Sequence, residues 1–332
     1  MPARFFLSRI FSRSIIGHIV FAVSFLLWIT WSATAQSFHL QDAALLAGWM
    51  GLGVAGSLVL AARARSPQKG WMALSGAIVL TIVCYQTIQP EQNRDWASDV
   101  SRGVKADTQG DIVRLADVRD FRWHDADTAT PRWTTHRYDL AELETVDMIT
   151  SVWDSPDIAH LLVSFGFSDA RQVVFSVEIR KEAQESFDAL GGFFRQFELV
   201  LIAATEDDIV KLRTNHRNED VRLYPLALSA EQRRDLFLAY VALAQQLEKE
   251  PMFYNTLTAN CTTTVFGLAR QVLPHLRPDW RIVMSGHLPS YADANNGFDG
   301  AMPLEDRIAA AAVTQKARTY KGANFSDAIR DR

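Results

Sequence analysis

Three long apolar segments occupy the first 90 residues of the chain. Residues 15–35, 43–62 and 71–89 contain no Lys, Arg, Asp or Glu. At about 1.5 Å per helical residue, each is long enough to cross a hydrocarbon core of about 30 Å. The pattern predicts three transmembrane helices. A cleaved signal peptide is the alternative for the first segment, and a buried helical hairpin is the alternative for the other two.

The basic residues around these segments predict how the chain is oriented. Three Arg residues precede residue 15, and three basic residues lie between positions 63 and 69, whereas residues 34–42 contain none. The positive-inside rule then places the N-terminus in the cytoplasm and everything after about residue 90 outside it. We therefore expect a multi-pass protein of the cell inner membrane whose large C-terminal part is periplasmic.

The remainder of the chain has the composition of one folded domain with flanking segments. Residues 91–115 are polar with few large apolar side chains, which predicts a linker. Residues 116–300 have the mixed pattern of an α+β domain, large enough for one substantial core. Residues 301–332 are expected to form a C-terminal helical tail.

Two segments of the domain alternate between apolar and polar residues, as strands do. They are HLLVSFGF (160–167) and QVVFSVEIR (172–180), and they predict a hairpin. Their apolar faces coincide when a three-residue loop places Phe167 opposite Arg171. The same register places His160 across from Glu178 on the other face. This pair is either a base with its orienting carboxylate or a solvated cross-strand pair.

Later segments predict the remaining elements of the domain. A third strand ends near Ala204, and Thr205 with Asp208 resembles a capping box at the start of a short helix. Another strand covers 221–228, and Ser229 with Gln232 opens a long helix with a core stripe.

Only two cysteines are present, and they differ in context. Cys84 lies within the third apolar segment, which leaves Cys261 without a disulfide partner in its own domain. Cys261 stands at the predicted start of a helix, because Val265, Leu268 and Val272 follow it at helical spacing. A helix N-terminus favours the thiolate, and its N–H groups can hold an oxyanion. The alternative is an inert buried thiol.

Other candidates for chemistry are fewer. His287, in SGHLPSYA, is the rival to His160 as a base and follows the cysteine in the chain. The sequence has no Cys or His cluster with metal-ligand spacing, no Gly-rich phosphate loop and no basic stripe, and the formal net charge is −4. We therefore expect no metal, no cofactor and no nucleic-acid partner, and the sequence does not indicate an oligomeric state.

Four sequence blocks carry a family resemblance: IAHLLVSFGF, VFSVEIRKE, GFFRQFELVLIAATEDDIVKLR and FYNTLTANCTT. Together they resemble the N-terminal periplasmic domain of the lipoprotein N-acyltransferase Lnb, over roughly residues 118–290. That family is similar to circularly permuted papain-like enzymes of the NlpC type, in which the histidine strand precedes the cysteine helix. The order of membrane helices and domain is reversed relative to that acyltransferase, where the periplasmic domain comes first.

The resemblance implies roles for individual residues. It makes Cys261 the nucleophile, His160 the base and Glu178 a candidate orienting residue. Asn260 would cap the helix or assist the oxyanion site. Tyr254 and Asn255 match the motif as substrate-binding or oxyanion-binding candidates, or as structural residues.

The resulting expectation is a membrane-anchored thiol acyltransferase or hydrolase that acts through a Cys261 thioester on acyl groups of lipids or lipoproteins. The alternatives are a peptidoglycan peptidase or amidase of the same fold, and a non-catalytic membrane assembly factor.

Overall fold

The structure, a computed structural model, describes residues 3–330, with side chains described from residue 15 onward. The chain divides into two compact units, Met1–Gln89 and Pro90–Arg332. The first unit is helical, and the second is a mixed α+β domain.

The N-terminal unit consists of three helices. They are α1 (Ala3–His39), α2 (Asp42–Arg65) and α3 (Pro67–Gln86). Two candidate membrane spans lie within the described residues, Ile15–His39 and Asp42–Arg65, and only 17% of each apolar window is buried. Such exposure differs from that of a hairpin buried in a soluble core. A small cluster joins the helices and contains Phe21, Trp28, Val59 and Leu74.

The prediction of a third transmembrane helix is wrong. Residues 71–89 do not provide a further candidate span, although α3 covers most of them. This helix ends at Gln86, and its first turn is polar, so its apolar part is confined to residues 71–84. At about 1.5 Å per residue this part is about 21 Å long, shorter than a hydrocarbon core of about 30 Å.

The domain is built on a mostly antiparallel sheet. Its strands are β1 (Lys105–Gln109), β2 (Ile112–Arg119), β3 (Arg122–Trp123), β4 (Ala129–Thr130), β5 (Trp133–Asp139), β6 (Leu143–Val152), β7 (His160–Phe167), β8 (Gln172–Arg180), β9 (Glu198–Ala204) and β10 (Asp220–Pro225). Eight of them form one sheet in the order β1-β2-β9-β8-β7-β6-β10, with β5 paired to β2. The short strands β3 and β4 pair with each other.

The helices of the domain follow the central strands or lie between later segments. They are α4 (Glu206–Lys211), continued by a π-helical turn (Leu212–His216), α5 (Ala230–Lys249), α6 (Cys261–Val272), α7 (Leu288–Ala294), α8 (Leu304–Ala310), α9 (Thr314–Thr319) and α10 (Phe325–Ala328). The helix predicted to open at Ser229 with Gln232 starts there as α5, and the two residues form a capping box.

Both faces of the sheet are covered. On one face, Phe165 and Phe175 pack against Phe237 and Tyr240 of α5, and Leu268 of α6 joins the same core. The other face carries a second core that includes side chains from α4, α9 and α10. The central strands are therefore buried on both sides, while their ends remain available for polar chemistry.

Residues 91–115, predicted as a polar linker, belong to the folded domain. They contain β1 and the start of β2, and Val104 donates a backbone hydrogen bond to the Leu201 carbonyl at 2.9 Å. Strand β1 lies at the edge of the sheet and buries only Ala106, with four exposed positions. Because four of its five side chains are exposed, the sequence of β1 is as polar as that of a linker.

Residues 301–332, predicted as a tail after the domain, also contribute to it up to residue 330. Phe325 is 3% exposed and Ile329 is 1% exposed, both within the second core. Val313 donates a backbone hydrogen bond to the Val221 carbonyl of β10 at 3.0 Å. The domain therefore starts earlier and ends later than 116–300.

A buried ion cluster ties the end of the chain to the sheet. Arg330 Nη2 lies 2.7 Å from Asp147 Oδ2 in β6 and 2.6 Å from Glu206 Oε1 in α4. The three side chains are at most 5% exposed. Burial lowers the pKa of Arg330, but the two carboxylates outweigh burial and raise it, so the guanidinium stays charged.

Removing this guanidinium should destabilise the domain strongly. We expect Arg330→Met to lower the free energy of unfolding by about 3–5 kcal/mol, because two buried carboxylates lose their counter-charge. Arg234→Met is the matched control, since Arg234 pairs with the exposed Asp111 at 2.6 Å and should cost less than about 1 kcal/mol. Chemical unfolding of the detergent-solubilised chain provides the measurement. Equal losses for the two variants would contradict the expectation.

Candidate active site

The hairpin of β7 and β8 has the predicted register. Leu162 pairs with Ser176 and Phe165 with Val173, which extends to His160 opposite Glu178. At the turn, Phe167 donates its N–H to the Arg171 carbonyl at 3.0 Å. The three-residue loop ends in Ala170 at φ 65°, the left-handed residue that such loops place before the return strand. The predicted pairing is confirmed.

His160, Ser176 and Glu178 form a connected polar group on one face of this hairpin. His160 Nε2 lies 2.7 Å from Ser176 Oγ and 3.1 Å from Glu178 Oε1. The Ser176 hydroxyl donates to Glu178 Oε1 at 2.7 Å, so it accepts from His160. This network assigns a proton to Nε2 and leaves Nδ1 as the nitrogen that exchanges a proton with another group.

Cys261 is the first residue of α6, as predicted. Asn260 caps this helix, because its side-chain oxygen accepts from the N–H groups of Thr262 at 2.9 Å and Thr263 at 2.8 Å. Val265 and Leu268 bury the inner face of the helix in the core. The cap and the buried face together fix the position of the thiol.

The thiol lies against the start of β7. The Cys261 thiol interacts with His160 and with the backbone N–H of Leu161, and both lower its pKa, while the sulfur lies 3.8 Å from the Thr262 hydroxyl. Because Nε2 faces Ser176 and Glu178, the imidazole nitrogen left for the sulfur is Nδ1. The structure therefore brings Cys261, His160 and Glu178 together in that order, with the imidazole in the middle.

The charges of this group shift the pKa values in directions that favour an ion pair. Burial lowers the pKa of His160, but the Glu178 carboxylate outweighs it and raises the pKa to about 9. Burial raises the pKa of the Cys261 thiol, but the positive charge of His160 outweighs burial and lowers it. Burial also raises the pKa of Glu178, but His160 and Arg213 hold it well below its usual range.

Arg213 completes the site and was not predicted from the sequence. Its Nη2 lies 3.1 Å from Glu178 Oε1, and its Nη1 lies 3.4 Å from Glu219 Oε2. Arg213 is 5% exposed and lies on the π-helical turn after α4. It is the last residue of the third sequence block, GFFRQFELVLIAATEDDIVKLR, but nothing in the pattern connects that position with the hairpin.

The structure assigns Asn260 and Asn255 to the architecture of the site. The Asn260 amide donates to the Thr256 carbonyl at 2.7 Å while its oxygen caps α6, so neither end faces the thiol. The Asn255 side-chain oxygen accepts from the N–H groups of Leu257 and Thr258, both at 3.0 Å. It shapes the turn that leads to the cysteine.

Tyr254 is placed differently from the two asparagines. Burial raises the pKa of its hydroxyl, and the nearby charges of Cys261 and Glu178 raise it further. The phenol is therefore neutral, and it lies within the electrostatic influence of Cys261. In the same region the N–H groups of Thr262 and Thr263 are occupied by Asn260, which leaves the Cys261 N–H as the helix-terminal donor nearest the sulfur.

His287 lies in a second imidazole–carboxylate pair. Its Nε2 is 2.8 Å from Asp157 Oδ1, and the side chains are 39% and 49% exposed. The sequence did not indicate this carboxylate partner. His160 lowers the pKa of the Cys261 thiol, whereas the imidazole of His287 pairs with Asp157. The geometry therefore favours His160 as the base.

Comparison with known proteins identifies one family. The family model described as the Lnb N-terminal periplasmic domain matches residues 129–286, a range that contains His160, Glu178 and Cys261. Comparisons with curated proteins and with solved structures gave no match. Within residues 3–330, no group of three or more His, Cys, Asp or Glu side chains is placed to hold a metal ion.

The two imidazoles can be distinguished by the reactivity of the thiol. In a Cys84→Ser background, we expect His160→Ala to raise the pH midpoint of Cys261 alkylation by iodoacetamide above that of the parent protein. The reason is that burial remains while the imidazolium that stabilises the thiolate is lost. His287→Ala is the control and should leave the midpoint unchanged. A midpoint that follows His287 rather than His160 would refute the assignment.

Proposed function

We propose that this chain, which belongs to the family of the Lnb N-terminal periplasmic domain through residues 129–286, is a cysteine-dependent acyltransferase or hydrolase. The family and the two N-terminal apolar helices fit a periplasmic, membrane-associated protein of the inner membrane. The observation that carries the enzymatic proposal is the position of His160 between Cys261 and Glu178.

The first step of the proposed reaction is the attack of the Cys261 thiolate on an ester or amide carbonyl. The carbon–sulfur bond forms, and the former carbonyl oxygen takes up the negative charge. The Cys261 N–H and the Tyr254 hydroxyl are the donors available to stabilise that oxyanion. As the tetrahedral intermediate collapses, the leaving oxygen or nitrogen takes the proton from His160, and a thioester remains.

The second step releases the acyl group. An amine or a water molecule attacks the thioester carbonyl, and His160 takes its proton at Nδ1. The carbon–sulfur bond then breaks and the thiolate is restored. The Ser176 hydroxyl accepts from Nε2–H and donates to Glu178, and the Glu178 carboxylate, 3.1 Å from Nε2, stabilises the imidazolium, so Glu178 acts as the orienting residue.

The protonation states define the pH range of the proposed reaction. The thiolate requires a pH above the lowered pKa of Cys261, and the imidazolium is lost as the pH rises through about 9. Activity in the first step should therefore rise with the ionisation of the thiol and fall at alkaline pH.

The fold proposed for this domain is a permuted papain-like arrangement of the NlpC type. Its support is the chain order, in which the histidine strand β7 precedes the cysteine helix α6, and the packing of that helix against the sheet core. Asn255 and Asn260 would then be structural members of the family motif.

The proposed substrates are acyl groups of membrane lipids or lipoproteins. The support for this class is the family match and the presence of two candidate membrane spans in the same chain. Peptidoglycan is the rival substrate for a thiol of this type, and it requires no contact with hydrocarbon.

Cys261 should be essential, and Cys84 should not. In a strain that lacks the protein, we expect Cys84→Ser to restore the acylation pattern of lipoproteins measured by mass spectrometry, and Cys261→Ala to fail at equal expression. Unchanged lipoprotein acylation with altered muropeptides would instead support a peptidoglycan substrate. Full rescue by Cys261→Ala would rule out the thiol mechanism.

The Arg residues before position 15 favour a cytoplasmic N-terminus. Two spans then return the chain to the cytoplasm at Ser66, so this orientation reaches a periplasmic domain only if residues 67–89 cross the membrane as well. Alkaline phosphatase fused after Gln41 should be active in this orientation, and the same enzyme fused after Ser66 should be inactive. The opposite pattern would place the N-terminus in the periplasm, and the two candidate spans alone would then deliver the domain there.

A further inference from the structure

Large apolar side chains on the surface of the domain are concentrated around the candidate active site. Among residues 90–330 the structure exposes ten of them, and only Ile112 and Met302 lie elsewhere. The other eight lie on four loops, residues 153–159, 181–197, 255–260 and 280–287. They are Trp153, Ile158, Phe187, Leu190, Phe193, Leu257, Trp280 and Val283.

The four loops lie at one end of the sheet. The 153–159 loop connects the end of β6 to the start of β7, and the 181–197 loop connects the end of β8 to the start of β9. In an antiparallel sheet these connections occur at the same end, opposite the 168–171 turn. His160 begins β7 and Glu178 lies near the end of β8, so the loops and the candidate site share that end.

The other two loops are attached to the first two. The Thr256 hydroxyl donates to the Ala189 carbonyl at 2.8 Å, which joins 255–260 to 181–197. Gly286 donates its N–H to the Asp157 carbonyl at 2.9 Å, which joins 280–287 to 153–159. In the chain, Cys261 directly follows the 255–260 loop, and His160 directly follows the 153–159 loop.

This distribution favours an apolar partner rather than a charged one. Isolated exposed apolar side chains are ordinary, but their concentration around one site marks a surface that binds something. The four loops contain five acidic and three basic residues, so they do not form a polybasic patch for anionic head groups. Two of the side chains are tryptophans, which prefer the interface between water and hydrocarbon.

The geometry points to a membrane-docking surface: the four loops insert their apolar side chains into the outer surface of the bilayer and present its acyl carbonyls to Cys261. A bilayer is the apolar partner available to this domain, because the same chain carries two candidate membrane spans. The delivery of acyl carbonyls to Cys261 rests on the proposed function. The insertion of the loops into the bilayer does not, because it requires no reactive thiol.

Site-specific fluorescence tests the contact directly. The full chain, with Cys84→Ser and Cys261→Ala, is placed in phosphatidylcholine nanodiscs that contain doxyl-labelled lipid. A bimane label on Leu257→Cys should lose fluorescence, and the same label on Met302→Cys should not. The two positions are matched, because Leu257 and Met302 are each 49% exposed. An equal loss of fluorescence to the doxyl-labelled lipid at both positions would overturn the proposal.

Activity provides the second measurement. In the otherwise native chain, Phe187→Ser should lower kcat/KM about tenfold for an acyl donor embedded in vesicles. The reason is that one aromatic side chain no longer inserts into the bilayer. It should leave turnover of a short water-soluble thioester unchanged, and Met302→Ser should affect neither substrate. An equal loss with both substrates would assign Phe187 to the folded site rather than to membrane contact, and would refute the docking role.

The two proposals fail in different ways. Lipid quenching at Leu257→Cys together with full activity of Cys261→Ala would retain the docking surface and remove the thiol mechanism. Essential Cys261 without quenching at Leu257→Cys would retain the thiol mechanism and remove the docking surface.

Discussion

The candidate site depends on the burial of one carboxylate beside an imidazole. Glu178 lies 3.1 Å from His160 because the β7–β8 register places the two residues opposite each other at the end of the hairpin. A shift of the register by one residue would send the Glu178 side chain to the Phe165 face, into an apolar core. The packing of the phenylalanines therefore positions the base.

Arg213 provides a second positive charge beside Glu178. A carboxylate with a strongly lowered pKa in a partly buried site needs compensation whenever the imidazole is neutral, and Arg213 provides it at 3.1 Å. The same guanidinium lowers the pKa of His160 and so opposes the effect of Glu178. An imidazolium that retained its proton too firmly would be a poor acid in the first step of the proposed reaction, where it protonates the leaving group. Arg213 thus keeps Glu178 charged while it limits how strongly His160 retains its proton.

The sequence was informative where local pattern and tertiary packing agree. Alternation in β7 and β8 predicted their bounds and their register, and helical spacing after Cys261 predicted the start of α6. It failed where tertiary partners replace local ones. Helix α4 begins after Thr205 as predicted, but Asp208 does not reach back to cap it, because its carboxylate binds Arg119 at 2.9 Å. The partner lies 89 positions away in the chain, and periodicity carries no signal over that separation.

The boundaries of the domain were missed for a related reason. Strand β1 is polar because it lies at a sheet edge, and the helices after residue 301 are short and only partly apolar. Their contribution to the domain becomes apparent only in the structure, where they pack against the sheet or pair with it. Arg330 is the clearest case, since an arginine in this polar segment gives no indication of burial between Asp147 and Glu206.

The groups proposed to react and the exposed apolar side chains lie on different kinds of element. The groups proposed to react stand on a strand, a helix start and a π-helical turn, all anchored by buried side chains, so their mutual distances are fixed by packing. The groups that meet the surroundings stand on loops whose apolar side chains remain outside the core. A soluble domain gains nothing in stability from exposing them. Their location beside the thiol is therefore better explained by what the site must contact than by how the domain folds.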